Sequence, residues 1–274
     1  MRVIVTRPHG DAETWVLALA QLGIDALALP LIEIRALSDF CGIAAAWQAW
    51  SRCDAVMFVS AAAVDHFFAL RPQAVDTSAI GDGPRLWAPG PGTVAALLRH
   101  GVAAQRIDAP APDGGQFDSE ALWQQVAGQV PDGGQVMVVR GAAHDVPWTP
   151  EPLVSVGGMS DAQGQGRDWL AQQLVAAGAQ LRFAVAYWRA PPEPLALQQA
   201  IADHAAGPND VWLFTSAQAI GNLRLCLPSQ DWSHARAMTT HPRIAAAARA
   251  AGFGVVWESR PALVDIAASI KSLQ

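Results

Sequence analysis

The sequence is poor in the residues that build disulfide scaffolds and metal centres. It has three cysteines, Cys41, Cys53 and Cys226, and no C-x-x-C, which argues against a disulfide framework and a structural zinc site. Its seven histidines are scattered, with no H-E-x-x-H or other ligand spacing. No apolar run reaches the roughly 18 residues of a membrane span. Lysine is scarce, and the net charge of −6 does not suit nucleic acid as the main partner. The run from Met1 to Pro8 reads as a short strand and a turn, without the longer apolar segment of a signal peptide. A cytoplasmic location is therefore expected. What is plentiful is apolar residue: 51% of 274 positions are hydrophobic, enough for the cores of two domains.

The chain repeats itself. Asp54-Ala-Val-Met-Phe-Val-Ser60-Ala-Ala-Ala-Val64 returns 156 residues later as Asp210-Val-Trp-Leu-Phe-Thr-Ser216-Ala-Gln-Ala-Ile220. Each copy is an apolar run that ends in a serine and opens into a helix-compatible stretch. A hydroxyl and backbone N–H groups at such a junction suit an anion. Either serine also serves as a helix N-cap, worth about 1 kcal/mol. Neither sits in G-x-S-x-G, so a hydrolase nucleophile is not expected.

The repeat extends further. Arg2 to Arg7 reads as a strand, Asp11 as an N-cap, residues 12–22 as a helix ended by Gly23, and Ile24 to Leu29 as a strand stopped by Pro30. A matching series runs through Gln135–Gly141, a helix at about 167–177 ended by Gly178, and a strand through Tyr187. A third pair is Leu86 to Gly101 and Ala237 to Gly252: strand, polar turn, Ala-rich helix and glycine stop. Further strands end near Asp108 and Trp257. Residues 110–119 and 144–166 read as loops.

Strands alternating with helices imply βαβ units and parallel sheets. Ligands on such sheets bind beyond the carboxyl ends of the strands, where Thr6, Arg7, Ser60, Thr93, Arg140 and Ser216 all fall in this reading. Arg7 and Arg140 are each either a buried partner of strand-end carbonyls or a ligand for carboxylates, which the planar guanidinium suits. Gly90-Pro-Gly-Thr-Val-Ala95, with Asp108 downstream, matches a dinucleotide fingerprint in weak form. Proline between the glycines removes an N–H donor, so Thr93 with its neighbouring amides better suits a carboxylate.

Together these segments resemble the uroporphyrinogen-III synthase family over nearly the whole chain. The resemblance rests on Val-Thr-Arg-Pro at 5–8, Leu-Ile-Glu at 31–33, Phe-Val-Ser at 58–60 and Gly90-Pro-Gly-Thr93. It continues through Val-Val-Arg-Gly at 138–141, Gly166-Arg-Asp, Tyr187, Phe-Thr-Ser at 214–216 and His241-Pro-Arg-Ile. It implies two similar flavodoxin-like α/β lobes, each a parallel sheet, joined by a two-stranded linker. Lobe one would be 1–34 with 190–274 and lobe two 37–187, with linkers at about 31–37 and 184–189.

The resemblance also implies a reaction. Hydroxymethylbilane, a linear tetrapyrrole bearing many carboxylates, loses its hydroxyl as water and cyclises with inversion of the last ring. No metal or organic cofactor is implied, and neither is a nucleic-acid or membrane partner. A monomer is expected, with transient handover of substrate from hydroxymethylbilane synthase. Tyr187, the one tyrosine in the chain, matches the family's candidate for assisting the hydroxyl's departure. A phenol, with an ordinary pKa of about 10, stays protonated at neutral pH and can donate a hydrogen bond. Arg7, Ser60, Thr93, Arg140, Arg167 and Ser216 would hold the substrate. The chain departs from the family pattern at Val59, at the turn from His241 to Ile244, and in an insertion over 144–165. The competing reading is a non-catalytic two-lobed binder of an acidic small molecule, or a degenerate paralogue of the synthase.

Overall fold

The computed structural model describes residues 1–73, 83–111, 119–143, 165–203 and 209–273. The chain forms two compact units, Met1–Ile34 with Ala190–Gln274, and Arg35–Arg189. The first unit opens with β1 (Val3–Val5), α1 (His9–Gln21) and β2 (Ala26–Ala28). Through β3 (Glu33–Arg35) the chain passes to α2 (Cys41–Ala49), β4 (Ala55–Phe58), α3 (Ala61–Ala69), β5 (Arg85–Trp87) and α4 (Pro91–Arg99). Next come β6 (Ile107–Asp108), α5 (Ser119–Val126), β7 (Gln135–Ala142), α6 (Gln165–Ala176) and β8 (Gln180–Ala190). The first unit is then completed by α7 (Pro194–Asp203), β9 (Val211–Phe214), α8 (Ala217–Cys226), β10 (Arg236–Thr239), α9 (Pro242–Ala250), β11 (Val255–Glu258) and α10 (Leu263–Lys271).

The two sheets run β11-β10-β9-β1-β2 and β3-β8-β7-β4-β5-β6. Pairing is parallel from β2 to β11 in the first and from β8 to β6 in the second. The repeat in the sequence is therefore a repeat of sheets. β9 and β4 occupy the same place, as do β1 and β7, and β2 and β8. Within the first unit the order is the doubly wound 2-1-3-4-5 arrangement. The second unit has the same order, but its first two strands come last in the chain.

Both faces of the first sheet are covered, which is why its strands read as unbroken apolar runs. Val3, Val5, Val211, Leu213 and Met238 point one way, onto Leu19, Ile266 and Ile270. Ile4, Trp212, Phe214 and Ala237 point the other way, onto Ile220, Leu223 and Phe253. In the second unit, Trp47 stacks on Phe67 at 4.4 Å between ring centroids, with Phe58 edge-on to Phe67 at 5.6 Å. Each fully buried aromatic of this kind contributes about 1.5–3 kcal/mol. Helices α1 and α6 both stop at a glycine in left-handed geometry, Gly23 at φ 76° and Gly178 at φ 86°, where a Cβ would be strained.

One expected cap is corrected. Asp11 is not the N-cap of α1. The N-cap is Pro8, at φ −52° and ψ 151°. The ring of Pro8 holds the extended entry, so the helix begins at His9 and Asp11 falls in its first turn, where its charge meets the positive helix end. The expected loop over 110–119 lies outside the described residues at 112–118, and Ser119 begins α5. The expected excursion over 144–166 lies outside them at 144–164, and α6 begins at Gln165.

Candidate active site

In a 2-1-3-4-5 sheet the first and third strands diverge in connection at their carboxyl ends and leave a crevice. In the second unit those strands are β7 and β4. Ser60 follows β4 with extended backbone and caps α3, its Oγ accepting from the Ala63 N–H at 3.2 Å. The same Oγ lies 3.1 Å from Tyr187 Oη, and either hydroxyl can donate.

Tyr187 reaches Ser60 because β8 is irregular. Arg140 pairs with Val185 but Gly141 pairs with Tyr187, so Ala186 is an extra residue in β8. Such a bulge re-aims the side chain that follows it. The ring of Tyr187 lies directly over Gly141, and a Cβ on residue 141 would overlap it. His66, one turn and a half into α3, packs against the same ring at 5.6 Å between centroids. Tyr187 is only 3% exposed. Its ring is held by Gly141 and His66, with its hydroxyl at the capped end of α3.

Burial pushes His66 below the usual histidine range, and the Asp65 carboxylate opposes this only in part. That carboxylate is already engaged by Arg99 at 3.2 Å and stands 2.9 Å from His100 Nε2. His66 is thus a neutral neighbour of the phenol at pH 7.

The remaining expected site residues fall in both units. The Arg140 guanidinium lies 4.4 Å over the Phe183 ring, on the neighbouring strand. Thr93 is in the first turn of α4 and 5% exposed. Arg167 belongs to the first turn of α6, and its side chain lies outside the described residues. In the first unit, Ser216 caps α8 by accepting from the Gln218 N–H at 3.2 Å. Arg7 turns back along α1, 3.4 Å from Asp11 and 4.8 Å over the Trp15 ring. Thr6 spends its hydroxyl on the Leu213 carbonyl at 2.7 Å, tying β1 to β9. His241 caps α9 through Nδ1, which accepts from the Arg243 N–H at 3.1 Å, and Ile244 is buried in the apolar core. The two units thus carry similar helix ends, while Ser60 and Tyr187 are brought together as a pair across the second sheet.

Asp108, the acidic residue of the weak dinucleotide pattern, is taken. Its carboxylate receives both Nε, at 2.8 Å, and Nη2 of Arg85, and this pairing raises the arginine's pKa. Among the described residues no cluster of three His, Cys, Asp or Glu could hold a metal ion, and no described helix is long and apolar enough to cross a membrane.

A family model described as Uroporphyrinogen-III synthase HemD matches residues 13–146 and 162–266. The chain belongs to the uroporphyrinogen-III synthase family. Solved structures carry the same fold. The uroporphyrinogen-III synthetase of Helicobacter pylori aligns over 100% of both chains at 14% identity and a TM-score of 0.58. A mutant uroporphyrinogen III synthase of Thermus thermophilus aligns over 100% of this chain and 97% of its own, at 15% identity and a TM-score of 0.50. No curated protein matches the chain. At these identities the structural likeness speaks for the fold of the synthase family, and the family model speaks for membership.

The sequence alone does not single out His66 or Gly141 as the residues packed against Tyr187. Gly141 had one usable signal, a glycine closing a strand in the Val-Val-Arg-Gly segment. His66 had none, since its partner is 121 positions away in the chain.

Proposed function

We propose that the chain is a uroporphyrinogen-III synthase, a lyase that dehydrates and cyclises hydroxymethylbilane with inversion of the last pyrrole ring. The observation that carries this reading is the part-buried Ser60–Tyr187 hydroxyl pair at the β4/β7 crevice in a member of this family.

Tyr187 donates its proton, through a hydrogen bond, to the departing hydroxyl of the substrate. The carbon–oxygen bond breaks and water leaves, while the adjacent pyrrole nitrogen supplies the electron pair that forms the azafulvene cation. The substituted carbon of the last ring attacks this cation, and the resulting spiro intermediate fragments and recloses with the ring inverted. The proton released as the ring regains aromaticity returns to Tyr187. Positioning carries most of the catalysis, because the substrate is itself reactive. Shielding the cation from water is the second task.

The carboxylates of the substrate need donors. First-turn amides have no carbonyl partner within their own helix, and those of α3 and α8 lie at strand ends beside Ser60 and Ser216. Helix α4 opens on Pro91, which has no N–H, and its Thr93 N–H already bonds the Gly90 carbonyl, so there the Thr93 hydroxyl is the donor offered. Arg7, Arg140 and Arg167 complete the set with planar guanidinium groups. The test is incubation of the purified protein with enzymatically generated hydroxymethylbilane. The synthase reading requires the type III isomer. Only the spontaneous type I ring would instead mark a binder or a degenerate paralogue.

A further inference from the structure

We propose that Ser60 is the positioning residue of Tyr187, and that it acts by donating its hydroxyl proton to the phenol oxygen. This rests on the reading above, in which Tyr187 gives its own proton to a leaving hydroxyl.

The hydrogen bonds around Ser60 fix the direction of donation once Tyr187 faces substrate. Ser60 Oγ accepts from the Ala63 N–H, and its other partner is Tyr187 Oη. A serine hydroxyl has one proton and two acceptor sites. If Tyr187 turns its proton toward the substrate, its oxygen can only accept from Ser60. Among the described residues the Ser60 proton then has no competing acceptor. The N–H bond from Ala63 polarises the serine hydroxyl and strengthens it as a donor. The positive end of α3 adds to the same effect. As negative charge develops on Tyr187 Oη during proton transfer, the Ser60 bond strengthens, which is the form of assistance that lowers a barrier.

The internal repeat supplies the contrast. Ser216 caps α8 through the Gln218 N–H at 3.2 Å, as Ser60 caps α3. The chain holds one tyrosine, and it stands against Ser60. The duplicated feature is the cap, and one copy has been given a phenol to direct. The Ser60 hydroxyl is thereby committed to Tyr187, and a substrate carboxylate at α3 meets the helix amides instead.

The single tyrosine makes the test specific. Protein isotope-labelled at the tyrosine Cζ shows one resonance, which reports Tyr187 alone and responds to hydrogen bonding at its oxygen. Three variants are compared with wild type: Ser60→Gly, Ser60→Thr and Ser216→Gly. Glycine at an N-cap costs a helix only a few tenths of a kcal/mol, so both glycine variants should fold. The expected result is a shifted resonance in Ser60→Gly and a kcat for type III product lowered about 10- to 100-fold, with a smaller change in KM. Ser60→Thr returns both toward wild type, and Ser216→Gly leaves the resonance in place. An unmoved resonance in Ser60→Gly overturns the proposal, as does a moved resonance with unchanged kcat. If wild type itself makes no type III product, the reading of function fails separately, and the resonance still decides whether Ser60 holds Tyr187.

Discussion

Gly141 and Tyr187 are a matched pair: the tyrosine ring occupies the space that any side chain on residue 141 would need. The contact lies at the β-bulge that inserts Ala186, so backbone register and side-chain size are set together. Gly141→Ala should destabilise the protein by about 1–3 kcal/mol, the usual cost of overpacking, and should displace the phenol from Ser60. The measurement is a double-mutant cycle in urea with Tyr187→Ala. Truncating the ring should remove most of the Gly141→Ala penalty, giving a coupling of at least about 1 kcal/mol.

His66 should make stability depend on pH. Burial lowers its pKa in the folded protein, so below the ordinary histidine pKa of about 6.5 the unfolded chain binds the proton first. Its contribution is fully present above that pH. Stability is lost as pH falls through the unfolded value and levels off below the folded one. Urea midpoints measured from pH 8 to pH 5 should fall less steeply in His66→Gln than in wild type.

The cysteines should differ in reactivity. Burial pushes the Cys53 thiol up to about 11, and Cys226 is also buried. Cys41 is exposed, although the neighbouring Asp39 raises its pKa. Because thiolate and access together control reaction, a thiol reagent should label one site in the native protein, slowly at neutral pH and faster at alkaline pH. Cys41→Ser should abolish that labelling, while urea exposes the remaining two.

The turn at His241 should be a stability element. Its Nδ1 caps α9, so His241→Ala should cost about 1 kcal/mol, and His241→Asn, a strong N-cap residue, should recover most of it. Urea melts of the two variants decide this.

Much of the fold was legible because the repeat is local. Ser60 and Ser216 each close a strand and open a helix within a dozen residues, and the spacing of the two serines is the spacing of β4 and β9. Gly23 and Gly178 marked helix ends for the same reason. The assignment of Asp11 as a cap failed because Pro8 sets the helix entry three residues earlier. The core of the site was hidden because it is assembled across the sheet. Tyr187 meets Ser60 only after β8 is paired to β7, takes in Ala186 as an extra residue, and finds a glycine opposite. No periodicity along one strand encodes that register. Tyr187 stood out for its singularity and its family resemblance, while His66 and Gly141 acquire meaning only from the tyrosine they hold.

Under the proposed function, ring closure of hydroxymethylbilane runs through Tyr187. The direct measurement is the isomer composition of the product formed from hydroxymethylbilane by wild type and by Tyr187→Phe, which keeps the ring over Gly141 and beside His66. Wild type should yield the type III isomer. The variant should turn over about 100-fold more slowly, so that spontaneous closure overtakes it and type I product accumulates. Equal type III output from both proteins, or type I alone from wild type, would contradict the account.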